Sequence, residues 1–381
     1  MRFLEIFKNR KVIRLLITAI VVILLFFGIR YAYNHIKFKS YKEISSKEKL
    51  TDGSTKYISL QNHIFRYSGD GVSLLTNDLE TQWNESLNFT SPMAVKNKTK
   101  LAVYDKMGTG VSLFGLKGLI SQISTDFPVM SVALSDSGNV AVIVDGDNQP
   151  IIRYYTPEGE MIADITGGAN DKGYPIDIDV SDNGQIVCVT YLKANEEGVG
   201  SELAVYNFGN TKSDSNLVYS EVFEGRIVPD VIATGNKIVI LEEKGFSVYR
   251  SSGSFTKEKS ISLDEEILSA FYDKEYIGLV TKKVSDKSGN VMRIYDTSGD
   301  LKSETDINII YNNICIEDGH ILFYNSNEME VYNVSGIERY HGIFDEGNIT
   351  SVVKLSRKRY LVTTSSETKI IELKLLDTDN S

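Results

Sequence analysis

Two cysteines in 381 residues exclude a disulfide-rich scaffold and any metal centre built from four thiolates. Histidine is nearly as scarce, with four copies, few for an enzyme. The patterns H-E-x-x-H, G-x-S-x-G and G-x-x-x-x-G-K-[ST] do not occur, which removes the common zinc-protease, serine-hydrolase and phosphate-loop signatures. Gly108, Gly110 and Gly115 in GTGVSLFG have the wrong spacing for a phosphate loop and join two strands, so they read as a hairpin. Positive charge is also in deficit, 41 basic against 51 acidic side chains. Residues 1–50 hold 11 basic and 3 acidic side chains, a balance of +8, so the other 331 residues carry -18. No phosphate-neutralising patch dominates such a domain, which argues against nucleic-acid binding. What remains is 42% hydrophobic and 24% charged, a composition that folds around a sizeable core.

The fifteen residues from Leu15 to Ile29 contain no charge. Extended over 12–33, the apolar stretch covers about 33 Å as a helix, matching a bilayer core of about 30 Å. Arg14 and Arg30 would snorkel, and Tyr31 and Tyr33 suit the interface. The exit GIRYAYNH offers no small-residue cleavage site, so the segment reads as an uncleaved signal anchor. The basic residues flanking it nearly tie. The layout of a short basic tail (1–11) followed at once by the span favours a cytoplasmic N-terminus, with the remainder outside the cell membrane. Residues 34–55, polar and rich in Lys and Ser, read as a stalk, and 377–381 as a tail.

Between them, 56–376 repeat. A unit of strand, tight turn and strand recurs at 55–67, 91–104, 128–165, 174–191, 228–241, 267–281, 311–324 and 350–364, twice with an S-D-x-G turn, at 135–138 and 181–184. An aromatic residue four before a glycine marks a third strand at Phe114, Tyr155, Tyr249, Tyr295 and Tyr332; Tyr206 stands three before Gly209, and Leu75 and Leu373 replace the aromatic in the end units. Each step holds four short strands and their turns. Eight units predict an all-β, eight-bladed β-propeller, or a seven-bladed one if an end unit is incomplete. The last unit supplies three strands, leaving an outer edge open or closed by part of residues 40–54.

The S-D-x-G turns, the ETQWNESL strand at 80–87 and the Y-x-x-x-G hairpins resemble quinoprotein-type and WD-repeat-like propellers. A single N-terminal span joined to such a propeller resembles an uncharacterised Firmicutes family of membrane-anchored proteins. That resemblance implies an external location and no particular activity. Cofactor-using quinoprotein propellers dock a planar ring on tryptophan, often beside a vicinal disulfide and calcium. Here Trp83 is the sole tryptophan and belongs to an outer strand, while Cys188 and Cys315 fall three blades apart, too far to bridge. No cofactor is expected. Asp145 and Asp147 lack the ligand series of a calcium loop.

His63 and His320 occupy equivalent places in different blades, so they should not share a metal. The most informative column is Ser131, Asp177, Asp230, Ser269, Asn313 and Ser351, near the start of each innermost strand. It would ring one mouth of the axis with small oxygen-bearing side chains able to bind a cation, sugar or peptide. The plainer account, that they cap turns and bond neighbouring amides, is preferred. The loops 193–202 and 285–290 are candidate contact segments. With no catalytic constellation, the expected function is a noncatalytic binding or scaffolding module for a protein or cell-wall ligand. The alternative is a glycan- or peptide-directed hydrolase or lyase using Asp177 and Asp230 as acid and base.

Overall fold

A computed structural model describes residues 10–48, 55–147, 149–165, 173–195, 198–209, 216–251, 255–283, 289–344 and 348–375. Beyond one N-terminal helix, its regular structure is eight four-stranded antiparallel sheets, so the eight-bladed reading holds and the seven-bladed one falls. Seven sheets take their strands in chain order as meanders. The inner strands, Lys56–Leu60, Pro92–Lys96, Val129–Leu134, Tyr174–Val180, Val231–Thr234, Ile267–Tyr272, Asn313–Glu317 and Ile349–Lys354, surround the axis. The second and third strands of a blade are apolar on both faces, because neighbouring blades cover each side. Val140–Asp145, for example, is buried up to its last residue. Outer strands instead alternate, as the eeieieB burial of Leu301–Ile307 shows, since solvent takes one face.

Each seam between blades has its own apolar cluster. The repeated aromatic is its anchor: Tyr155, Tyr206, Tyr249, Tyr295 and Tyr332 are buried and pack back onto the preceding blade. Each also sits at a register shift between third and outer strands, as at Val331/Tyr332, because the glycine-containing hairpin that follows adds a residue there. Gly336 takes that turn at φ 75°, a conformation glycine adopts without a Cβ penalty. The seam between blades 8 and 1, built from Ile64, Leu75, Leu79, Leu355, Leu361 and Ile370, has no aromatic among its fully buried residues. Leu75 stands where blades 2 to 7 carry the ring.

Ring closure corrects the stalk. The expected linker 34–55 instead supplies β1 (Ser40–Glu48), the outer strand of blade 8, paired antiparallel to Glu367–Lys374 from Ser40 opposite Lys374 to Glu48 opposite Glu367. Phe38 locks the entry. Its amide donates to the Arg339 carbonyl at 2.7 Å, and its ring is buried with Tyr340 between blades 7 and 8. Just upstream, α1 (Arg10–Asn34) occupies the expected span, with Leu15 to Phe27 largely exposed. Among the described residues no helix is long and apolar enough to cross a membrane. The uncharged run between Arg14 and Arg30 covers only about 22 Å at 1.5 Å per residue. The N-terminal tail over 1–9 and the 377–381 tail lie outside the described residues.

Two changes test the closure. Phe38→Ala removes a buried aromatic and is expected to cost about 3 kcal/mol in urea unfolding. A chain lacking residues 1–39 should keep a cooperative transition, whereas one lacking 1–48 should unfold at lower denaturant and self-associate through the bared edge of Glu367–Lys374.

Candidate functional site

The inner strands all start at one face of the ring and end in tight turns at the other. The predicted column lies at the entry face. In four blades a bulge immediately precedes its residue, between Val129 and Ser131, Pro175 and Asp177, Ile267 and Ser269, and Ile349 and Ser351. Side chains there serve chiefly to stitch blades together. Asp177 Oδ2 accepts the Val231 amide at 2.8 Å, Asp230 Oδ1 accepts the Tyr272 hydroxyl at 3.0 Å, and Ser269 Oγ meets the Tyr311 hydroxyl at 2.8 Å. Each link runs to the next blade. Asp177 lines a cavity of about 180 Å³ with Asp179, Tyr272 and Lys274, and Asp230 reaches it through Tyr272. Ser131, Ser269, Asn313 and Ser351 do not join it.

Burial pushes the Asp177 carboxyl up to about 7, reinforced by Asp230 and Asp179 and opposed by the Val231 amide. Burial and the same carboxylates also push the Tyr272 hydroxyl upward. Such a group has a value suited to proton transfer at neutral pH, yet its oxygen and that of Asp230 both face protein donors.

Below this level the axis is crossed by charge. Lys274 of blade 6 bonds Asp179 of blade 4 and also donates to the Val180 and Ala233 carbonyls at 3.1 and 2.9 Å. Lys96 of blade 2 bonds Glu317 of blade 7, whose carboxylate takes the Ser59 hydroxyl as well, at 2.8 Å. The two pairs lace the ring from opposite sides. At the turn face Lys96, Glu317 and Lys274 line a cavity of about 320 Å³ together with Lys98, Asp136, Asp273, Glu275 and Asp318. Lys98 pairs with Asp136 at 2.6 Å, and Asp318 with Lys354 at 2.9 Å. Its walls are mixed in sign, a surface fit for polar or zwitterionic groups rather than an extended polyanion.

This second mouth was not anticipated. Its signal was available, since aligning the S-D-x-G turns with Asn97–Lys100 and Asp273–Tyr276 puts Asp136, Asp182, Lys98 and Lys274 at one turn position. Charge of both signs round that ring points to ion pairing across blades.

His63 and His320 hold matching places, each with Nδ1 near the carbonyl two residues before it, Gln61 at 2.9 Å and Asp318 at 3.2 Å. Both brace turns, and burial pulls His320 down to about 4. Cys188 and Cys315 are free. Trp83 closes the seam between blades 1 and 2, its indole N–H donating to the Leu116 carbonyl at 2.9 Å. Loop 193–202 extends a hairpin, with 196–197 outside the described residues, as are 284–288 of the second loop. Among the described residues, the group able to hold a metal is Glu328, Glu330 and His341, on the rim of blade 7 and remote from the axis.

The chain belongs to the DUF5711 family, a family of unknown function, over residues 34–373. No curated protein matches it in sequence. In structure it is similar to BamB from Moraxella catarrhalis, at 9% identity and TM-score 0.50, covering 88% of this chain and 100% of that one. It is also similar to Saccharomyces cerevisiae Sqt1, at 12% identity and TM-score 0.56 with the same coverages. A eukaryotic initiation factor gives 12% identity and TM-score 0.52, covering 89% of this chain and 88% of that one. Identities this low establish the propeller fold alone.

Lys274→Met should destabilise the ring by about 2 kcal/mol, because Asp179 and two carbonyls lose their donor. Adding Asp179→Asn should recover part of that loss in a double-mutant cycle. Asp177 stays protonated in the folded chain to a higher pH than in the unfolded one, so its contribution is fully present below about pH 4. It is lost as pH rises to about 7. Asp177→Asn should flatten that part of the stability profile and raise stability at pH 8.

Proposed function

We propose that this DUF5711 propeller is a noncatalytic binding or scaffolding module, anchored by α1 and presented on the outer side of the cell membrane to a protein or cell-wall partner. The observation that carries the reading is the contrast between a laced axis and an apolar entry face. The loops leading into the inner strands, together with those joining second to third strands, expose Met107, Tyr174, Val199, Ile227, Leu268 and Ile310. Ile310 is 84% accessible. Apolar groups displayed on a rigid frame suit protein recognition.

The anchor supports that orientation. Helix α1 joins β1 at Ser40, opposite Lys374 where the third strand of blade 8 ends, which is the turn face. As a sequence, 12–33 has the length expected of a membrane anchor. The entry face then points away from the lipid. A second reading, hydrolysis or elimination through Asp177 and Asp230, draws on the raised carboxyl of Asp177.

Photo-crosslinkers at Val199 and Ile310 in intact cells should capture one specific partner, and Ile310→Glu should weaken that capture. An empty yield from both positions, or capture unchanged by Ile310→Glu, rejects the entry face as a docking surface. Asp177→Asn with Asp230→Asn should leave the capture unchanged; loss of a glycan- or peptide-cleaving activity in that variant would favour the enzyme instead. External protease should digest the propeller in intact cells, and protection would reverse the orientation.

A further inference from the structure

Two residues before the repeated tyrosine, the third strands of blades 3, 6 and 7 place an ionisable side chain opposite the outer strand, and this rung differs between them in an informative way. In blade 3 it is Arg153, opposite Asp164, with its guanidinium 3.3 Å from Asp164 and 3.3 Å from Asp126. In blade 6 it is Arg293, opposite Glu304, 2.7 Å from Glu304 and 2.9 Å from Glu265. Each blade thus seats one side-chain cation between two carboxylates. Blade 7 inverts the arrangement. Its rung is Glu330, opposite His341, and Glu328 shares the same strand face two residues earlier.

The three side chains are oriented toward one point. Glu330 is buried, at 6% exposure, and its Oε2 accepts the Tyr332 hydroxyl at 2.8 Å. Glu328 Oε2 accepts the Asn325 amide at 3.2 Å. The remaining oxygens turn to the imidazole: Glu328 Oε1 lies 2.8 Å from His341 Nε2. Glu330 Oε1 lies 3.8 Å from Nδ1, beyond hydrogen-bonding distance. One ligand atom from each residue falls within 4.8 Å of the others. With a neutral imidazole, this rung carries two negative charges where its counterparts in blades 3 and 6 carry one.

We infer that Glu328, Glu330 and His341 form a binding site for one divalent transition-metal ion of the zinc class. Two carboxylates and one imidazole are a borderline ligand set suited to Zn²⁺, with metal–ligand distances of about 2.0–2.2 Å that small side-chain rotations reach. The ion balances the two charges. Tyr332 and Asn325 hold the ligating carboxylates in place by their second oxygens, as outer partners of metal sites do. Three protein ligands leave a fourth position for water or a partner's side chain, open to solvent beside the half-exposed imidazole. The site lies at the entry-face end of blade 7, where Asn325 also donates to the Ile310 carbonyl at 2.7 Å, and it is apart from the anchor.

The test uses the full chain in detergent micelles, stripped with chelator and titrated with Zn²⁺ by calorimetry and with Co²⁺ by visible absorption. The expected result is one saturable Zn²⁺ per chain, a Co²⁺ spectrum displaced by Zn²⁺, and a higher unfolding midpoint with metal. His341→Gln and Glu330→Gln should each weaken binding by about 10-fold or more, while Glu158→Gln, on an exposed turn, should not. Glu328→Gln at the accessible side supplies the ligand variant if Glu330→Gln does not fold. Absence of saturable binding, or unchanged binding in His341→Gln, overturns the site and leaves an imidazole shared between two carboxylates.

Discussion

The pairing of β1 with Glu367–Lys374 is the constraint on which the architecture rests. Seven sheets are made from consecutive strands, and each is stable only because a neighbour covers both faces of its middle strands. That mutual cover requires a closed circle. The last sheet completes it with residues that precede the first blade in the chain, so both ends of the propeller are held in one sheet. Phe38 then bolts this sheet to blade 7. Closure stabilises every seam at once, which is why a polar segment such as SYKEISSKE can decide the fate of an apolar core.

Inside the circle, apolar and charged contacts divide the labour by radius. The outer and middle zones are held by tyrosines that pack backward onto the preceding blade. Near the axis, where inner strands converge and side chains from many blades meet, lysines and carboxylates span the gap. Lys274 and Lys96 reach acids two and three blades away, and main-chain carbonyls complete the Lys274 site. Part-buried charge of this kind adds little net stability over an apolar filling, but removing one partner is costly. Such pairs also fix which blade faces which, a form of register for a ring of similar units.

Much of this order was legible in the chain. The tyrosine ruler could be read because one residue does the same job in five blades, beside a turn that needs glycine or a small polar residue. The third strands it marked are those of the structure. Closure of the last unit by part of residues 40–54 is one of two readings of the chain, and it is Ser40–Glu48 that closes it; the sequence alone does not decide between them. An outer strand needs only one covered face, so its sequence carries little apolar alternation and resembles a linker. Five of the six column residues stand on inner strands and Asp230 just before one, and Asp177, Asp230 and Ser269 tie one blade to the next, as the plainer account expected. Lys96 and Glu317 are far apart in sequence, and their meeting follows from ring curvature, which no local pattern encodes. His341 and Glu330 face each other only because a bulge beside Tyr332 shifts the register by one residue.

The closing strand is also the mechanical coupling of the molecule. Helix α1 connects to Ser40 through five residues that include Phe38, and β1 then runs the full height of blade 8. A pull on the helix therefore acts along the strand axis and loads its ladder of hydrogen bonds together, in shear, instead of peeling them one by one. The ring also has one aromatic-poor joint, between blades 8 and 1, beside that same strand. Force that does overcome the ladder opens the circle there, so the propeller would yield as a spring clip does, at a single place set by Leu75 and its neighbours.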